Sequence, residues 1–166
     1  MVESAATLRA RVYELLAAVP DPEIPVLSVL DLGIVRHVEV RRDGSVEVGI
    51  TPTYSGCPAT PMIKTDVLAA LAGAGIRATA VDVLGPAWSS DWLSEAGRRK
   101  LDAWGIAPPA QAVARARALA YADPAVACPR CHSLATERVS EFGSTPCKAL
   151  YRCTACLEPF DYFKCL

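Results

Sequence analysis

The spacing of apolar residues predicts the secondary structure of the first two thirds of the chain. Apolar positions that recur every three or four residues predict helices at residues 5–19, 58–72 and 90–104. Alternation of apolar and polar positions predicts strands at residues 34–40, 45–50 and 78–84. Asp43-Gly44 between the first two strands is typical of a hairpin turn, because this pair readily takes positive φ angles. The first five elements give the order αββαβ, which predicts a small α+β sandwich.

Breaks in this pattern predict how the chain is divided. Asp21-Pro22-Glu23-Ile24-Pro25 ends the first helix, since two prolines in four residues bar a regular continuation. Residues 107–127 are rich in Ala, Arg and Pro and resemble a linker, in which residues 112–121 could form a short helix. The predicted organisation is an α+β domain at 1–107, a linker at 108–125 and a metal-binding ribbon at 126–166.

Composition narrows the functional classes. The length of 166 residues allows one ordinary domain and a small module that needs a metal for stability, and 52% hydrophobic residues suffice for a core. The net charge of −1 gives no overall attraction to nucleic acid or to an anionic membrane, and therefore favours protein or small-molecule partners. The sequence shows neither a membrane span nor a secretory signal, so we expect a cytoplasmic protein with reduced thiols.

Two CxxC pairs predict a metal site near the end of the chain. Cys128 and Cys131 form the first pair, Cys153 and Cys156 form the second, and 21 residues separate them. Two such turns brought together by a β-hairpin close a tetrahedral cage of four thiolates, for which zinc is the usual ion. Two disulfides are the alternative, which a reducing compartment disfavours. The sequence therefore predicts a four-cysteine zinc ribbon.

Three cysteines lie outside these pairs. Cys57 directly follows Gly56 and precedes a predicted helix, where free backbone N–H groups and the helix dipole stabilise a thiolate. It is either a reactive thiolate that holds a metal or cluster, or a small buried apolar residue. Cys147 and Cys165 could be exchange ligands for the cage, a redox pair or bystanders.

Other candidate residues favour structural roles on the pattern alone. Asp21 and Glu23 flank Pro22 and could bind a metal, although capping of a turn is the more common role of such carboxylates, and Asp31 is interpreted in the same way. The aromatic residues near the end of the chain suit the core face of a ribbon or a docking surface: Phe160, Tyr162 and Phe163. The chain contains no P-loop, dinucleotide or HExxH motif, which argues against a self-sufficient enzyme.

These motifs together resemble known families. The segments DPEIPVL at 21–27, DLGIV at 31–35 and TPTYSGCP at 51–58 resemble the SufT-like iron–sulfur assembly domain, over about residues 5–105. The segments FGSTPCKALYRC at 142–153 and EPFDYFKC at 158–165 resemble the PaaD family, whose members are encoded with phenylacetyl-CoA epoxidases. The second resemblance covers nearly the whole chain.

The resemblance implies a role and a set of site residues. It implies a non-catalytic accessory protein of aerobic phenylacetate degradation, which matures an iron–sulfur cluster or iron centre of the epoxidase. Cys57 would handle a transient cluster or iron, with Asp21, Glu23, Thr53 and Gly56 beside it.

The resemblance also implies partners. These are the reductase and oxygenase subunits of the epoxidase and the iron–sulfur assembly machinery, with no nucleic acid and no membrane, and homodimer formation stays open. The alternative function is a non-catalytic structural subunit of the epoxidase complex.

Overall fold

A computed structural model of the chain describes residues 4–109 and 125–164. It divides the chain into two compact units, 1–88 and 89–166. The predicted domain limits at residues 107 and 126 differ from this division, and they stay a prediction about which segments fold independently. The predicted short helix at 112–121 lies outside the described residues.

The first unit has the predicted αββαβ order, which confirms the α+β class. Its elements are α1 (Ala5–Leu16), β1 (Val35–Val40), β2 (Val46–Ile50), α2 (Thr60–Gly73) and β3 (Ala78–Asp82). The sheet order is β1-β2-β3, with β1 antiparallel and β3 parallel to β2. The two carboxyl ends of β2 and β3 therefore lie at the same edge of the sheet.

The core of this unit lies between the sheet and both helices. Alternate residues of the central strand β2, namely Val46, Val48 and Ile50, are at most 1% exposed. α1 packs against β1 and α2 against β3. Several residues of their predicted apolar stripes are buried: Val12, Leu16, Ile63, Val67 and Leu71. Met62, which the spacing also assigns to the buried stripe of α2, is 54% exposed, so its assignment is wrong. Burial of apolar side chains such as these is the main driving force for folding of this unit.

The predicted hairpin turn joins β1 to β2. Gly44 has a φ of +78°, which favours glycine. The Asp43 carboxylate accepts hydrogen bonds from the Ser45 backbone N–H at 3.0 Å and from its hydroxyl at 2.7 Å. These contacts lower the pKa of Asp43, and they fix the turn that sets the strand register.

Helix boundaries differ from the prediction by a few residues. After α1 ends at Leu16, the N–H of Val19 bonds to the Leu16 carbonyl, so the chain tightens into a turn. α2 begins at Thr60 rather than at 58, because residues 57–60 form a separate turn. The predicted helix at 90–104 is a short 3-10 turn at Ser90–Trp92 followed by α3 (Glu95–Trp104), whose N-terminus is capped by the hydroxyl of Ser94.

The second unit contains α3 and a four-stranded sheet. Its strands are β4 (Ile106–Ala107), β5 (Thr136–Ser140), β6 (Lys148–Cys153) and β7 (Pro159–Phe163), in the order β4-β7-β6-β5. β4 is parallel to β7, and the other pairs are antiparallel. One group of buried residues forms its core: Ala107, Val126, Cys128, Ala149, Tyr151, Cys153, Phe160 and Tyr162.

The three aromatic residues of β7 belong to the interior. Phe160, Tyr162 and Phe163 are 5%, 4% and 1% exposed. Phe160 stacks on Tyr151, and Tyr162 meets the same ring edge-on at a centroid distance of 5.4 Å. The interpretation as core residues is therefore correct, and the suggested docking surface is wrong, since these rings offer too little surface to a partner. Within the described ranges, no helix combines the length and apolarity needed to cross a membrane.

Gly49 of β2 gives a testable prediction about the first unit. A Cβ atom at this position would lie 2.1 Å from the His37 ring and 2.7 Å from the Val83 side chain. We expect Gly49→Val to lower the free energy of unfolding by about 1–3 kcal/mol, as overpacking does, measured by urea denaturation. Gly73→Ala is the matched control, because a Cβ there meets no atom within 4 Å. Equal stability of the two variants would contradict the prediction.

Candidate functional sites

Two similar turns bring the four cysteines of the CxxC pairs together. The first turn holds Cys128 and Cys131 before β5, and the second holds Cys153 and Cys156 between β6 and β7. The antiparallel register places Thr136 at the start of β5 opposite Cys153 at the end of β6. The two turns therefore meet at one end of the sheet.

The two turns share the same backbone pattern. The N–H of Cys128 donates to the Ser133 carbonyl at 3.0 Å, and the N–H of Cys153 donates to the Glu158 carbonyl at 2.9 Å, five residues on in each case. The residue after the second cysteine has a positive φ in both turns, 58° for His132 and 63° for Leu157. This conformation is uncommon for residues other than glycine, and no local pattern in the sequence indicates it.

The sulfur atoms have the spacing of a tetrahedral metal site. All four Sγ atoms lie within 4.8 Å of one another, and the pairs Cys128–Cys156 and Cys131–Cys153 are 3.8 and 3.6 Å apart. A zinc–sulfur bond of about 2.3 Å implies a tetrahedron with an edge of about 3.8 Å. A disulfide would require a separation of about 2.0 Å. The geometry therefore fits one metal ion and excludes the two-disulfide alternative.

The pKa values of Cys153 and Cys131 also indicate a need for a cation. Backbone N–H groups of Cys156 and Ala155 lower the pKa of Cys153 to about 7. The Ser133 backbone N–H lowers the pKa of Cys131, but the adjacent Cys156 sulfur, burial and the other thiols outweigh it and raise this pKa to about 12. Four thiolates at this separation are stable together only around a positive ion, which replaces the protons on binding.

The cage is half enclosed by protein. Cys128 and Cys153 are fully buried, and Cys131 and Cys156 are exposed. An ion pair of 2.9 Å between Arg130 and Glu158 links the two turns at the surface. Four thiolates in tetrahedral geometry suit zinc or iron. In the described part of the chain, this is the one cluster of three or more residues able to hold a metal.

Cys147 lies at the other end of the ribbon sheet. It precedes β6, whereas Cys153 ends it, and six residues of extended strand span about 20 Å. Cys147 is 4% exposed, and its thiol lies 3.1 Å from the Thr145 hydroxyl. It cannot act as an exchange ligand for the cage. Cys165 lies outside the described residues.

This arrangement predicts that the two extra cysteines are dispensable for the metal. We expect the double variant Cys147→Ser, Cys165→Ser to keep one metal ion per chain, because the four-thiolate set is complete without them. Elemental analysis of the purified protein measures this. Loss of the metal would show that the cage uses a different set of thiols.

Cys57 lies in a fixed turn between β2 and α2. Its N–H donates to the Tyr54 carbonyl at 3.2 Å, and its carbonyl accepts from the Thr60 N–H at 3.2 Å. Gly56 has a φ of +80°, which the third position of a type II turn requires. The backbone of Cys57 is thus fully bonded, and its side chain is half-buried.

The loop that carries Cys57 starts at the edge where β2 and β3 end. The Thr51 hydroxyl donates to the Val83 carbonyl at 3.0 Å and ties the beginning of this loop to the residue after β3. Ligands commonly bind at the carboxyl ends of parallel strands. Sequence reasoning missed Thr51, since its partner lies 32 residues away. Thr53 is half-buried in the same loop.

The acidic candidates cap turns. Asp21 is 7% exposed, and its Oδ1 accepts hydrogen bonds from the N–H groups of Glu23 at 2.9 Å and Ile24 at 2.7 Å. Asp31 accepts from the backbone and hydroxyl of Ser28 at 3.0 Å, and the Ser28 hydroxyl accepts from the Asp31 N–H. This reciprocal pair resembles a capping box. These hydrogen bonds agree with the interpretation of Asp21 and Asp31 as residues that cap turns.

The structure does not bring Cys57, Asp21 and Glu23 into one three-ligand group among the residues it describes. Glu23 is half-buried in the loop that Asp21 caps. A shared metal site of these three side chains therefore finds no support in the geometry. Their roles in handling a cluster, together with those of Thr53 and Gly56, stay a prediction.

Two family models match separate parts of the chain. Residues 9–83 match the model described as "Iron-sulfur cluster assembly protein", and residues 113–164 match "PaaD zinc beta ribbon domain". The first match contains Cys57, and the second contains all four cage cysteines.

Individual proteins match either nearly the whole chain or about half of it. A protein of Escherichia coli K12, named as one subunit of a "Putative 1,2-phenylacetyl-CoA epoxidase", is 49% identical over 93% of this chain and 92% of its own length. A "Fe-S protein maturation auxiliary factor" of Porphyromonas gingivalis is 38% identical over 51% of this chain and 81% of its own. A crystal structure of a DUF59 domain from Bacillus anthracis superposes with a TM-score of 0.55 at 26% identity, over 58% of this chain and 93% of that one.

Proposed function

Since the chain belongs to the PaaD family, we propose that it is a non-catalytic accessory protein of aerobic phenylacetate degradation. Its role is to mature an iron–sulfur cluster or iron centre of phenylacetyl-CoA epoxidase. The observation that supports this most is the position of Cys57: a half-buried thiol in a fixed turn, inside the segment that matches the iron–sulfur assembly model.

Cys57 holds the cargo in this proposal. Its backbone groups are engaged in the turn, so the loop that starts where β2 and β3 end presents Cys57 on a defined backbone. The thiolate form of a cysteine is the form that binds iron. One cysteine leaves the other coordination positions of an iron atom to a partner, which suits transient binding and release. Thr53 and Gly56 belong to the loop that carries Cys57, and Asp21 and Glu23 assist in handling the cargo from a separate turn that Asp21 caps.

The four-cysteine cage has a structural role in this proposal. The sulfur spacing suits a single zinc ion. Two of its ligands belong to the buried core of the ribbon sheet, so the ion completes the fold of that sheet. The partners are the reductase and oxygenase subunits of the epoxidase and the iron–sulfur assembly machinery. We place the protein in the cytoplasm, where thiols stay reduced.

Iron and acid-labile sulfide analysis of anaerobically purified protein tests the proposal. We expect the native chain to hold iron, or iron and sulfide, after reconstitution, and Cys57→Ser to lose it while keeping one zinc per chain. Cys147→Ser is the matched control, since it also removes a cysteine outside the cage. Equal iron in all three proteins would argue against cargo binding at Cys57.

A structural subunit of the epoxidase complex is the second candidate. The identity to the E. coli protein named as an epoxidase subunit favours it, because that name describes a component rather than a maturation factor. This function requires stable co-purification with the oxygenase and full epoxidase activity with Cys57→Ser. The maturation function instead requires that Cys57→Ser lose epoxidase activity.

A further inference from the structure

An acidic residue lies at the carboxyl end of α3, where a negative charge destabilises the helix. Asp102 lies in the last turn, where the helix dipole repels a negative charge, and that turn contains no basic residue. Within residues 4–109 and 125–164, no ion pair or hydrogen bond engages the Asp102 carboxylate. Local conflicts of this kind occur where a residue serves a ligand rather than the fold.

A cavity of about 290 Å³ lies beside this helix end. We call it the Trp104 cavity, and its walls are the end of α3 from Asp102 to Gly105 and parts of both cysteine turns, including Arg130 and Glu158. The indole of Trp104 is 65% exposed, which is unusual for so large an apolar ring. The volume is at the lower end of the range for ligand sites and suits one side chain better than a cofactor.

The charges around the cavity favour a ligand with a positive charge. Arg130 and Glu158 pair with each other and largely cancel. The Asp102 carboxylate remains as a negative group at the negative end of the α3 dipole, and the exposed Trp104 side chain lines the same cavity. A planar guanidinium satisfies all three features, because it stacks on indole and donates to a carboxylate and to carbonyls at the same time.

We propose that the Trp104 cavity binds an arginine side chain presented by a partner protein. One such contact is weak on its own, so it acts as the specific anchor of a larger interface on the ribbon unit. The inference does not depend on cluster chemistry at Cys57, and it holds for an accessory or a structural role.

An NMR titration of the full, metal-loaded chain with N-acetylarginine amide tests this. We expect saturable shifts of the Trp104 indole N–H and of the backbone amides from Asp102 to Gly105. The neutral isostere N-acetylcitrulline amide should bind at least about fivefold more weakly, because it lacks the charge that Asp102 and the helix end attract. The indole signal is assigned with Trp104→Phe.

Two variants separate the role of the carboxylate from effects on the fold. Asp102→Asn should weaken arginine binding at least about fivefold, and it should not lower the melting temperature because it removes a charge that the helix dipole repels. Glu95→Gln at the other end of α3 is the matched control and should bind as the native chain does. Equal binding of arginine and citrulline, unchanged binding by Asp102→Asn, or shifts elsewhere than at the cavity would each overturn the proposal.

Discussion

Replacing Cys128 by Ser is expected to release the metal and unfold the sheet of the second unit. Cys128 is fully buried in the core of this unit as well as being a cage residue. The sheet is too small to be stable on its apolar core alone, and structural zinc contributes about 10–16 kcal/mol of binding free energy in comparable small modules. Elemental analysis and limited proteolysis measure the two effects.

The pattern of cleavage gives a sharper test than metal content alone. Because β4 pairs with β7, protease sensitivity should begin at about Ile106 rather than only after residue 125. Cys147→Ser is the control, since it changes a buried cysteine of the same unit that is not a metal ligand. A Cys128→Ser protein that keeps stoichiometric metal and resists protease would show the ligand assignment to be wrong.

Cells that carry Cys57→Ala are expected to grow poorly on phenylacetate. Their epoxidase components should accumulate with most of the reductase cluster or the oxygenase iron missing, because the proposed carrier lacks its binding thiol. Growth rate and iron content of the purified epoxidase measure the effect. Growth on a carbon source that does not need the epoxidase should be unchanged.

Ser55→Ala is the matched control for this experiment. Ser55 is exposed in the turn that also contains Cys57, and its removal leaves the Tyr54–Cys57 backbone hydrogen bond in place. Normal growth and fully loaded metal centres with Cys57→Ala would refute maturation and favour the structural subunit.

The sequence predicts the helices and strands of the first unit well, because each of them is specified by residues that are close together in the chain. Alternation within Val46–Ile50 and three- to four-residue spacing in Thr60–Gly73 each specify an element without reference to distant residues. Helix ends are less predictable, because they depend on which side-chain or backbone group forms hydrogen bonds with the free N–H and carbonyl groups at the end of the helix. Ser94, for example, caps α3, which begins five residues after the predicted start.

The second unit shows what local patterns miss. β4 has only two residues, and its partner strand β7 lies more than 50 positions later in the chain. No local pattern distinguishes Ile106–Ala107 from the end of a loop, so the sequence alone places α3 in the first domain. The parallel pairing becomes evident only when the ribbon sheet is in place.

The two candidate sites also differ in how far local sequence patterns predict them. The cage was predictable because each CxxC turn carries its ligand geometry in four consecutive residues. The surroundings of Cys57 were not, because the contact between Thr51 and Val83 depends on the parallel order of β2 and β3. Excluding Cys147 from the cage required knowing that β6 separates it from Cys153.

We expect the supply of metal in the cell to control the amount of this protein, because the sheet that contains the β4–β7 pair needs the ion to stay folded. The ion stabilises only the folded second unit, so each tenfold fall in the free metal concentration removes about 1.4 kcal/mol of stabilisation by mass action. Under metal starvation the strand that follows α3 would open together with the ribbon. Degradation of the opened chain, rather than any change at Cys57, would then determine how much functional protein remains.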